Sequence, residues 1–474
     1  MSTFSNWIKN SYTVKFGIIG ILVLILLIPS MMIQSLIAER QERSNSVSDE
    51  ISNKWGNSQT IAGPFINIPF KQKIKTTNTD GTTTLSESIG TIHMLPEMLT
   101  INNKVKTETK HRGMYKSVVY TNNAQLNGSF NINDIAKLNI PAENILWNQA
   151  YLALYITDLR GIKSQVKINW NNQPLEMNPG IDNNDIQIFG GNKQYHVNAY
   201  SRDYVTTDAV VTANAAGNEN SSGLSVPIDV QTQKQFTFDF NLDLRGSNAL
   251  QFIPVGKETK VSVNSDYTSP SFDGAFVTEA NSVTEKGFTS SWKILHLNRN
   301  FPQLWTNNDY DINNSAFGVN FLVPVDHYQK TMRSAKYAVM FIFLTFLIFV
   351  FSEILNGYKI HPVQYLLIGL ALVIFYTLLL SISEQLGFTW AYVISSIAII
   401  CLISLYSMTI FKENKLVAVL CGILIILYGF LFVILRSEDY ALLLGSIGLF
   451  TVLAVVMYLS RKVKWYGEGN EQLG

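Results

Sequence analysis

The side chains that could support chemistry are scattered along this sequence. Asp309-Tyr-Asp-Ile-Asn313 begins like a calcium-binding loop, but Asn320 stands at the twelfth position, where such a loop needs Glu. Ser290-Ser-Trp-Lys293 matches the Ser-x-x-Lys motif of acyl enzymes by spacing alone, since no Ser-Asp-Asn or Lys-Thr-Gly segment follows it. The histidines have no metal-ligand spacing: His93, His111, His196, His296, His327 and His361. We therefore predict no catalytic residue, no metal site and no cofactor.

A second group of candidates surrounds Arg112. The segment Arg112-Gly-Met-Tyr115 leads to Tyr120, and the pattern around it is typical of a strand. We expect Arg112, Tyr115 and Tyr120 near the surface of a domain, where the guanidinium group can bind an anion through two hydrogen bonds. The alternative is that Arg112 pairs with a neighbouring carboxylate and has a structural role.

Two carboxylates lie next to apolar segments. Glu353 precedes the end of one apolar run and Glu384 follows the next. Carriers of protons or ions usually place a charged residue in the middle of a membrane span, and none of the apolar runs here has a charged residue at its middle. We interpret both carboxylates as hydrated at the membrane surface. The alternative is that Glu353 contacts His361 or Lys359 and fixes the turn between two helices.

The elements that must position these residues follow from the distribution of charge. Charged residues make up 15% of the chain, against about 25% in soluble domains, and the net charge of +1 provides no basic field for nucleic acid. Only nine charged residues occur between 337 and 460. That segment contains five apolar runs long enough to cross a bilayer: 338–355, 364–382, 389–411, 416–435 and 440–459.

A sixth apolar run lies at 14–38, after a short N-terminal segment, 1–13. It exceeds the core of a signal peptide in length and lacks a small-residue cleavage site, so we expect an uncleaved anchor helix that continues through Pro29. The polar residues 39–55 favour a helical extension of this span.

The basic residues of the short loops predict the orientation. An arrangement with a cytoplasmic N-terminus leaves Arg436 as the only basic residue in the short outer loops. It also places a C-terminal tail, 461–474, in the cytoplasm. Four cations beside the long central segment oppose this rule: Arg40, Arg43, Arg333 and Lys336. Long segments cross the membrane largely regardless of charge, so we expect six spans with both termini in the cytoplasm.

The central segment, 39–336, changes to Asn, Thr, Ser and short alternating apolar runs, and it contains no cysteine. Alternation of apolar and polar residues predicts five strands. They lie at 118–120, Tyr151–Ile156, 166–170, 236–242 and 261–264. Asp80-Gly81 and Asn127-Gly128 are hairpin-turn signals. The predicted fold class is therefore α+β, with six transmembrane helices and a largely antiparallel, sandwich-like β domain outside the cytoplasm. Cys401 and Cys421 fall in apolar runs and are interpreted as small packing residues.

A weak internal repeat leaves open whether this domain is one unit or two. Asp158-Leu-Arg-Gly161 and Asp243-Leu-Arg-Gly246 each precede a Val-x-(Ile/Val)-Asn segment. Because Asp-x-x-Gly is common in turns, we favour two hairpin turns over a duplication.

Several short segments, in this order, resemble the CreD family of bacterial inner-membrane, cell-envelope integrity proteins. They are Ala62-Gly-Pro-Phe65, Leu95-Pro-Glu-Met-Leu99, Arg112-Gly-Met-Tyr115, Ser269-Pro-Ser-Phe-Asp-Gly-Ala-Phe276, His361-Pro-Val-Gln-Tyr-Leu-Leu367, Ser383-Glu-Gln-Leu-Gly-Phe388 and Asp439-Tyr-Ala-Leu-Leu-Leu-Gly445. Gln385 departs from the His expected there, which favours a structural role for its loop. The candidate functional or family-motif residues are Arg112, Gly113, Tyr115, Tyr120, Pro270, Phe272, Gly274, Glu353, His361, Pro362, Gln364, Glu384 and Asp439.

The resemblance implies a location and a pathway, without a reaction. It implies a bacterial inner-membrane protein with a periplasmic domain and a role in envelope integrity and stress response. We expect a non-enzymatic protein whose partners are the lipid bilayer and periplasmic or envelope proteins, with no nucleic acid. Two alternatives remain: a multi-span transporter or channel, and a membrane enzyme that acts on lipid or peptidoglycan.

Overall fold

The computed structural model describes residues 12–77, 83–181, 222–307, 309–321, 326–356, 358, 360–411, 413–437 and 440–461. Over these residues the fold class is α+β, as predicted. The chain divides into two compact units. Met1–Ser46 and Pro324–Gly474 form a helical unit, and Val47–Val323 form a β unit.

The helices have bounds close to those expected from the apolar runs. They are α1 (Tyr12–Trp55), α2 (Asp326–Lys336), α3 (Ala338–Asn356), α4 (Pro362–Leu386), α5 (Phe388–Ile410), α6 (Asn414–Arg436) and α7 (Ala441–Ser460). Helix α1 is continuous over 44 residues and through Pro29, so the predicted helical extension beyond the first apolar run is confirmed.

By length and composition, four of the described helices can cross a membrane: α1, α4, α5 and α6. Helices α2 and α3 meet at a bend of 45° and count as a fifth span if they are taken together. The apolar part of α7, Leu443–Tyr458, is shorter than the others. Cys421 of α6 is partly exposed, but Cys401 lies on an exposed face of α5 and is not the packing residue that we expected.

The β unit contains several long strands, and buried and exposed residues alternate along β10 and β12. The described strands are β1 (Gln59–Thr77), β2 (Thr83–Met94), β3 (Met98–Arg112), β4 (Tyr115–Asn131), β5 (Tyr151–Ile156), β6 (Lys167–Trp170), β7 (Gln173–Glu176), β8 (Asn178–Pro179), β9 (Gly223–Pro227), β10 (Gln235–Ser247), β11 (Ala249–Ile253), β12 (Glu258–Ser265), β13 (Ser271–Gly274), β14 (Ala280–Thr284), β15 (Gly287–Leu295), β16 (Leu304–Thr306) and β17 (Phe317–Asn320).

These strands form two sheets. Seven strands of the nine-stranded sheet follow the order β13-β17-β11-β1-β5-β9-β8. The other two are β2, which pairs with β1, and β16, which pairs with β2. The eight-stranded sheet has the order β14-β15-β12-β3-β4-β10-β6-β7. Pairing is antiparallel except between β1 and β11 and between β3 and β12. The prediction of largely antiparallel sheets is therefore confirmed.

One hydrophobic core contains side chains from both sheets. Its aromatic centre includes Trp292 and Phe288 of β15, Phe317 of β17, and Phe321. Burial of apolar surface at about 25 cal/mol per Å² stabilises this unit, which has no disulfide.

The predicted turn at Asn127-Gly128 is wrong. Both residues lie inside β4, where Gly128 faces Leu99 of β3 and Phe238 of β10. A Cβ atom on Gly128 would collide with the carbonyl oxygen of Met98 and the ring of Phe238. Glycine here permits close strand packing and does not reverse the chain. The other predicted turn, Asp80-Gly81, lies outside the described residues, between the paired Thr77 and Thr83.

The two Asp-Leu-Arg-Gly segments are not two hairpin turns. The first forms a short 3₁₀ turn after β5, and the second lies within β10, in the other sheet. They meet at Gln59, whose side-chain amide donates hydrogen bonds of 3.0 Å to the carbonyl oxygens of Asp158 and Arg245. Because their local structures differ, the two segments are not equivalent positions of a repeat.

Candidate functional site

The predicted residues around Arg112 form a junction between the end of α1 and the β3–β4 hairpin. Trp55, the last residue of α1, lies between two cations. The Lys110 ammonium group is 4.8 Å from its ring centroid, and the Arg245 guanidinium group is 4.9 Å away. The Trp55 indole N–H donates to the carbonyl oxygen of Tyr120 at 3.2 Å. Each cation–ring contact contributes about 0.5–1 kcal/mol at a partly exposed site.

Arg112 stands at the tip of this hairpin and pairs with Glu50 of α1. Two residues earlier in α1, the hydroxyl group of Ser48 lies 2.9 Å from that of Ser117. The structure therefore favours the structural alternative for Arg112, an arginine paired with a carboxylate. Tyr115 follows the turn at Gly113 and Met114 and is half-buried.

We expect Arg112→Ala to lower the free energy of unfolding by less than about 1 kcal/mol, because its ion pair with Glu50 is largely exposed to solvent. Chemical denaturation of the purified full-length protein measures this change. In a double-mutant cycle with Glu50→Ala, the coupling energy should be about 0.2–1 kcal/mol. A loss of several kcal/mol would contradict this account of the junction.

The prediction that Tyr120 lies near the surface is wrong. Tyr120 is fully buried, and its hydroxyl group donates to the carbonyl oxygen of Ala249 at 2.6 Å. Burial raises the pKa of Tyr120 above its ordinary value. The alternation of β4 breaks here, because the end of α1 covers the outer side of the sheet and residues 117–120 are all buried. Tyr120 therefore stabilises the junction from within.

The segment with Pro270, Phe272 and Gly274 has a packing role. Pro270 is half-buried beside β13. The ring of Phe272 meets those of Phe288 and Trp292 edge-on, at centroid distances of 5.7 and 6.0 Å. Gly274 has a φ of 113°, and a Cβ atom there would collide with the backbone of residues 316–317. Only glycine fits this close approach of two strands.

Glu353 is the centre of a buried polar cluster in the helical unit. Its carboxylate accepts a hydrogen bond from the Lys15 ammonium group at 2.8 Å, from the backbone N–H of Ile360 at 3.2 Å and from the Tyr365 hydroxyl group at 3.1 Å. The side chain of Glu353 is 6% exposed. The interpretation as a hydrated surface carboxylate is therefore wrong, since the long-range pairing of α1 with α3 buries it.

His361 is not a partner of Glu353, because it caps α4. Its Nδ1 accepts from the N–H of Val363 at 3.3 Å, and the Gln364 side chain accepts from the N–H of His361 at 2.9 Å. Pro362 is the first residue of the helix, where its fixed φ is favourable. The other predicted partner, Lys359, lies outside the described residues, as does the candidate Asp439.

Glu384, near the end of α4, accepts a hydrogen bond from the Tyr328 hydroxyl group of α2 at 3.0 Å. The carboxylate thus fixes the short helix α2 to α4 instead of facing only water. Across the part of the chain that the structure describes, no group of three or more His, Cys, Asp or Glu residues could hold a metal ion.

Sequence reasoning missed two buried polar residues of the β unit. The first is Arg299, which donates to the carbonyl oxygens of Phe301 at 2.7 Å, Pro302 at 3.3 Å and Val255 at 3.3 Å. Its guanidinium carbon lies 4.0 Å from the ring centroid of Phe301. Burial lowers the pKa of Arg299 to about 9, so the side chain stays charged at neutral pH. Phe301 and Pro302 are close in sequence, but the third acceptor, Val255, lies 44 residues earlier, and no local pattern indicates that this arginine is buried.

The second is His93 of β2, which is fully buried. Its Nδ1 is 2.8 Å from the side-chain oxygen of Asn67 on β1, and its ring lies against Trp305. Among the described residues, Nε2 of His93 and Nδ2 of Asn67 have no hydrogen-bond partner. Desolvation lowers the pKa of His93 to about 3, so the imidazole is neutral in the folded protein.

We expect the β unit to lose stability in acid. The unfolded chain protonates His93 below its ordinary pKa of about 6.5, whereas the folded chain does so only near 3. The contribution of His93 to the free energy of unfolding is therefore fully present above pH 6.5. It decreases as the pH falls, by about 2 kcal/mol at pH 5. Denaturation curves recorded above pH 6.5 and at pH 5 measure this loss. In His93→Gln, the difference in the free energy of unfolding between the two conditions should be smaller by that amount. An unchanged pH dependence in the variant would contradict this prediction.

The helices and the β unit together define a class: a multi-span membrane protein with a large β insertion after its first span. The chain belongs to the CreD family. The family model described as "Inner membrane protein CreD" matches residues 11–466. The chain is also 30% identical to the inner membrane protein CreD of Escherichia coli (strain K12) over 451 residues, which cover 94% of this chain and 91% of that relative. It is thus a member of a family of inner membrane proteins.

Proposed function

We propose that this chain is a non-enzymatic inner-membrane protein that supports the integrity of the cell envelope, and that its β unit lies in the periplasm and binds a protein or another envelope component. One observation carries the proposal. A β unit with its own hydrophobic core is inserted between the first membrane helix and the remaining helices of a CreD-family chain.

The use of polar residues in the β unit supports a non-enzymatic role. Arg112 is paired with Glu50, His93 with Asn67, and Arg299 with backbone carbonyl oxygens. Each of these side chains thus has at least one structural partner.

The proposed topology has six spans and cytoplasmic termini. The proposed spans are α1, α3, α4, α5, α6 and α7, and the short helix α2 lies outside the span formed by α3. At 1.5 Å per residue, the 20 residues of α7 extend about 30 Å, which equals the hydrocarbon thickness of a bilayer. Because both sheets contribute to one core, we also propose that they pack face to face as a sandwich.

Cysteine labelling tests the location of the β unit. The native thiols, Cys401 and Cys421, are first replaced with alanine, because both lie in apolar helices. Thr289→Cys, on an exposed strand position, should then react with a membrane-impermeant maleimide in intact cells. Lys415→Cys, at the start of α6, should react only after lysis. The reverse pattern would refute the topology.

Photo-crosslinking in living cells tests the proposed binding. A photoreactive amino acid at Gln125, which is exposed on β4, should capture a specific periplasmic protein or cell-wall fragment. The same probe at Lys415 should not capture that product. Complementation of a deletion strain under detergent or β-lactam stress provides the functional readout. Normal complementation with no crosslinked product from the β unit, together with solute flux in proteoliposomes, would favour a transporter instead.

A further inference from the structure

Helix α2 (Asp326–Lys336) has two different faces. Its buried face contains Tyr328, Thr331, Ser334 and Ala335, which pack on α4, α5 and α6. The bond between Tyr328 and Glu384 fixes the rotation of the helix about its axis. The opposite face is therefore held outward by the packing of α2 itself.

That outward face is basic. Arg333 and Lys336 are both exposed and lie three residues apart, on one side of the last turn. Within the part of the chain that the structure describes, neither side chain forms an ion pair or a side-chain hydrogen bond. Lys330, one turn earlier and partly exposed, adds a third positive charge. Two exposed cations on a fixed helix face can accept an anion.

The position of this face identifies the kind of anion. Only Tyr337 separates Lys336 from α3, whose apolar residues form part of a membrane span. The two helices bend by 45° at this junction, and in the topology proposed above α3 alone is the span, so the span ends here. Side chains at this depth meet lipid headgroups before they meet soluble partners. Tyrosine is also frequent at this interface.

We propose that Arg333 and Lys336 bind the headgroup phosphate of an anionic phospholipid. The guanidinium group can form two hydrogen bonds to a phosphate, and the ammonium group adds a second charge. In the topology given above, these cations lie on the periplasmic side, where the distribution of basic residues in membrane proteins disfavours them. Binding of an acidic lipid accounts for cations at this position. The lipid site itself depends only on the membrane span, so it does not require the proposed topology.

A structural explanation competes with this one. Cations in the last turn of a helix interact favourably with its dipole. Such stabilisation of the helix would not depend on the charge of the surrounding lipid. The dependence on lipid charge therefore distinguishes the two explanations.

Lipid titration of the purified full-length protein, followed by native mass spectrometry, tests the proposal. Phosphatidylglycerol should bind in preference to phosphatidylcholine, which has a phosphate but no net charge. The double variant R333Q/K336Q should bind phosphatidylglycerol roughly 30-fold more weakly, since each basic residue near an anionic surface contributes about one kcal/mol. The charge-conserving exchange R333K/K336R should retain most of the affinity.

The matched control is K104Q/K106Q, which removes the same charge from exposed positions of β3 in the β unit. It should leave lipid binding unchanged. The proposal is overturned if R333Q/K336Q binds phosphatidylglycerol as well as the wild type, or if the control variant loses as much affinity. Equal binding of the two lipids by the wild type would also overturn it. Melting curves of all variants in one detergent confirm that the comparison concerns folded protein.

Discussion

Replacement of Lys15 with methionine should lower the free energy of unfolding by about 3 kcal/mol. The change leaves the Glu353 carboxylate buried without a cation, and breaking a buried ion pair from one side costs about 3–5 kcal/mol. The Lys15 side chain is 30% exposed, which places the expected loss at the lower end. Unfolding of the purified protein in mixed detergent micelles measures the change, and the amount of protein in the membrane provides a second readout.

Removal of both charges provides the control. The double variant Lys15→Met/Glu353→Leu no longer contains a buried charge, so it should recover most of the stability that Lys15→Met loses. Glu353→Gln keeps an acceptor for Tyr365 and should cost less than Lys15→Met. If the double variant is as unstable as the sum of the single variants, the two residues do not act as a pair.

Replacement of Arg299 with alanine should destabilise the β unit by about 3 kcal/mol. The substitution removes charged hydrogen bonds, each contributing about 1.5–3 kcal/mol, and leaves buried carbonyl oxygens of Val255 and Phe301 without donors. Arg299→Lys keeps the charge but lacks the planar guanidinium group that donates to several carbonyl oxygens. It should therefore restore only part of the stability that Arg299→Ala loses. Urea denaturation monitored by tryptophan fluorescence reports the change.

An exposed lysine provides the control for Arg299. Lys286 lies in the turn between β14 and β15, so Lys286→Ala removes the same charge and should change stability by less than about 0.5 kcal/mol. Arg299→Ala with the stability of the wild type would mean that the loops at residues 255 and 301 hold together without the guanidinium group.

The pattern of apolar residues predicted six of the described helices and five of the described strands. Long apolar runs mark the helices other than α2, and alternation of buried and exposed residues marks β10 and β12, because local burial alone decides these patterns. Pairing over long distances was not predictable. The partner of Gly128 lies in a strand more than 100 residues later in the sequence. The local Asn-Gly pattern therefore predicted a turn where a distant strand pairing decides the structure.

The candidate site shows the same limit. Pro362 has a local requirement, since it is the first residue of α4, whereas Gly274 is required by the approach of residues 316–317, which are distant in sequence. The partner of Glu353 was not, since Lys15 is 338 residues away in sequence. Likewise, nothing near Tyr120 indicates that the end of α1 covers it. Fold class and membrane location therefore follow from the sequence, whereas the roles of single polar side chains require the structure.

The two parallel strand pairs have a consequence for how the chain is made. Gln59 of β1 must find Leu250 of β11, and Met98 of β3 must find Glu258 of β12. At about 5–20 residues per second, the ribosome delivers the later strands on the order of ten seconds or more after the earlier ones. During that interval β1 and β3 each have one unpaired edge, whose free N–H and C=O groups can pair with another chain and cause aggregation. Completion of both sheets therefore depends on strands from the second half of the β unit, and until those strands are made the open edges of β1 and β3 are the parts of the unit most exposed to aggregation.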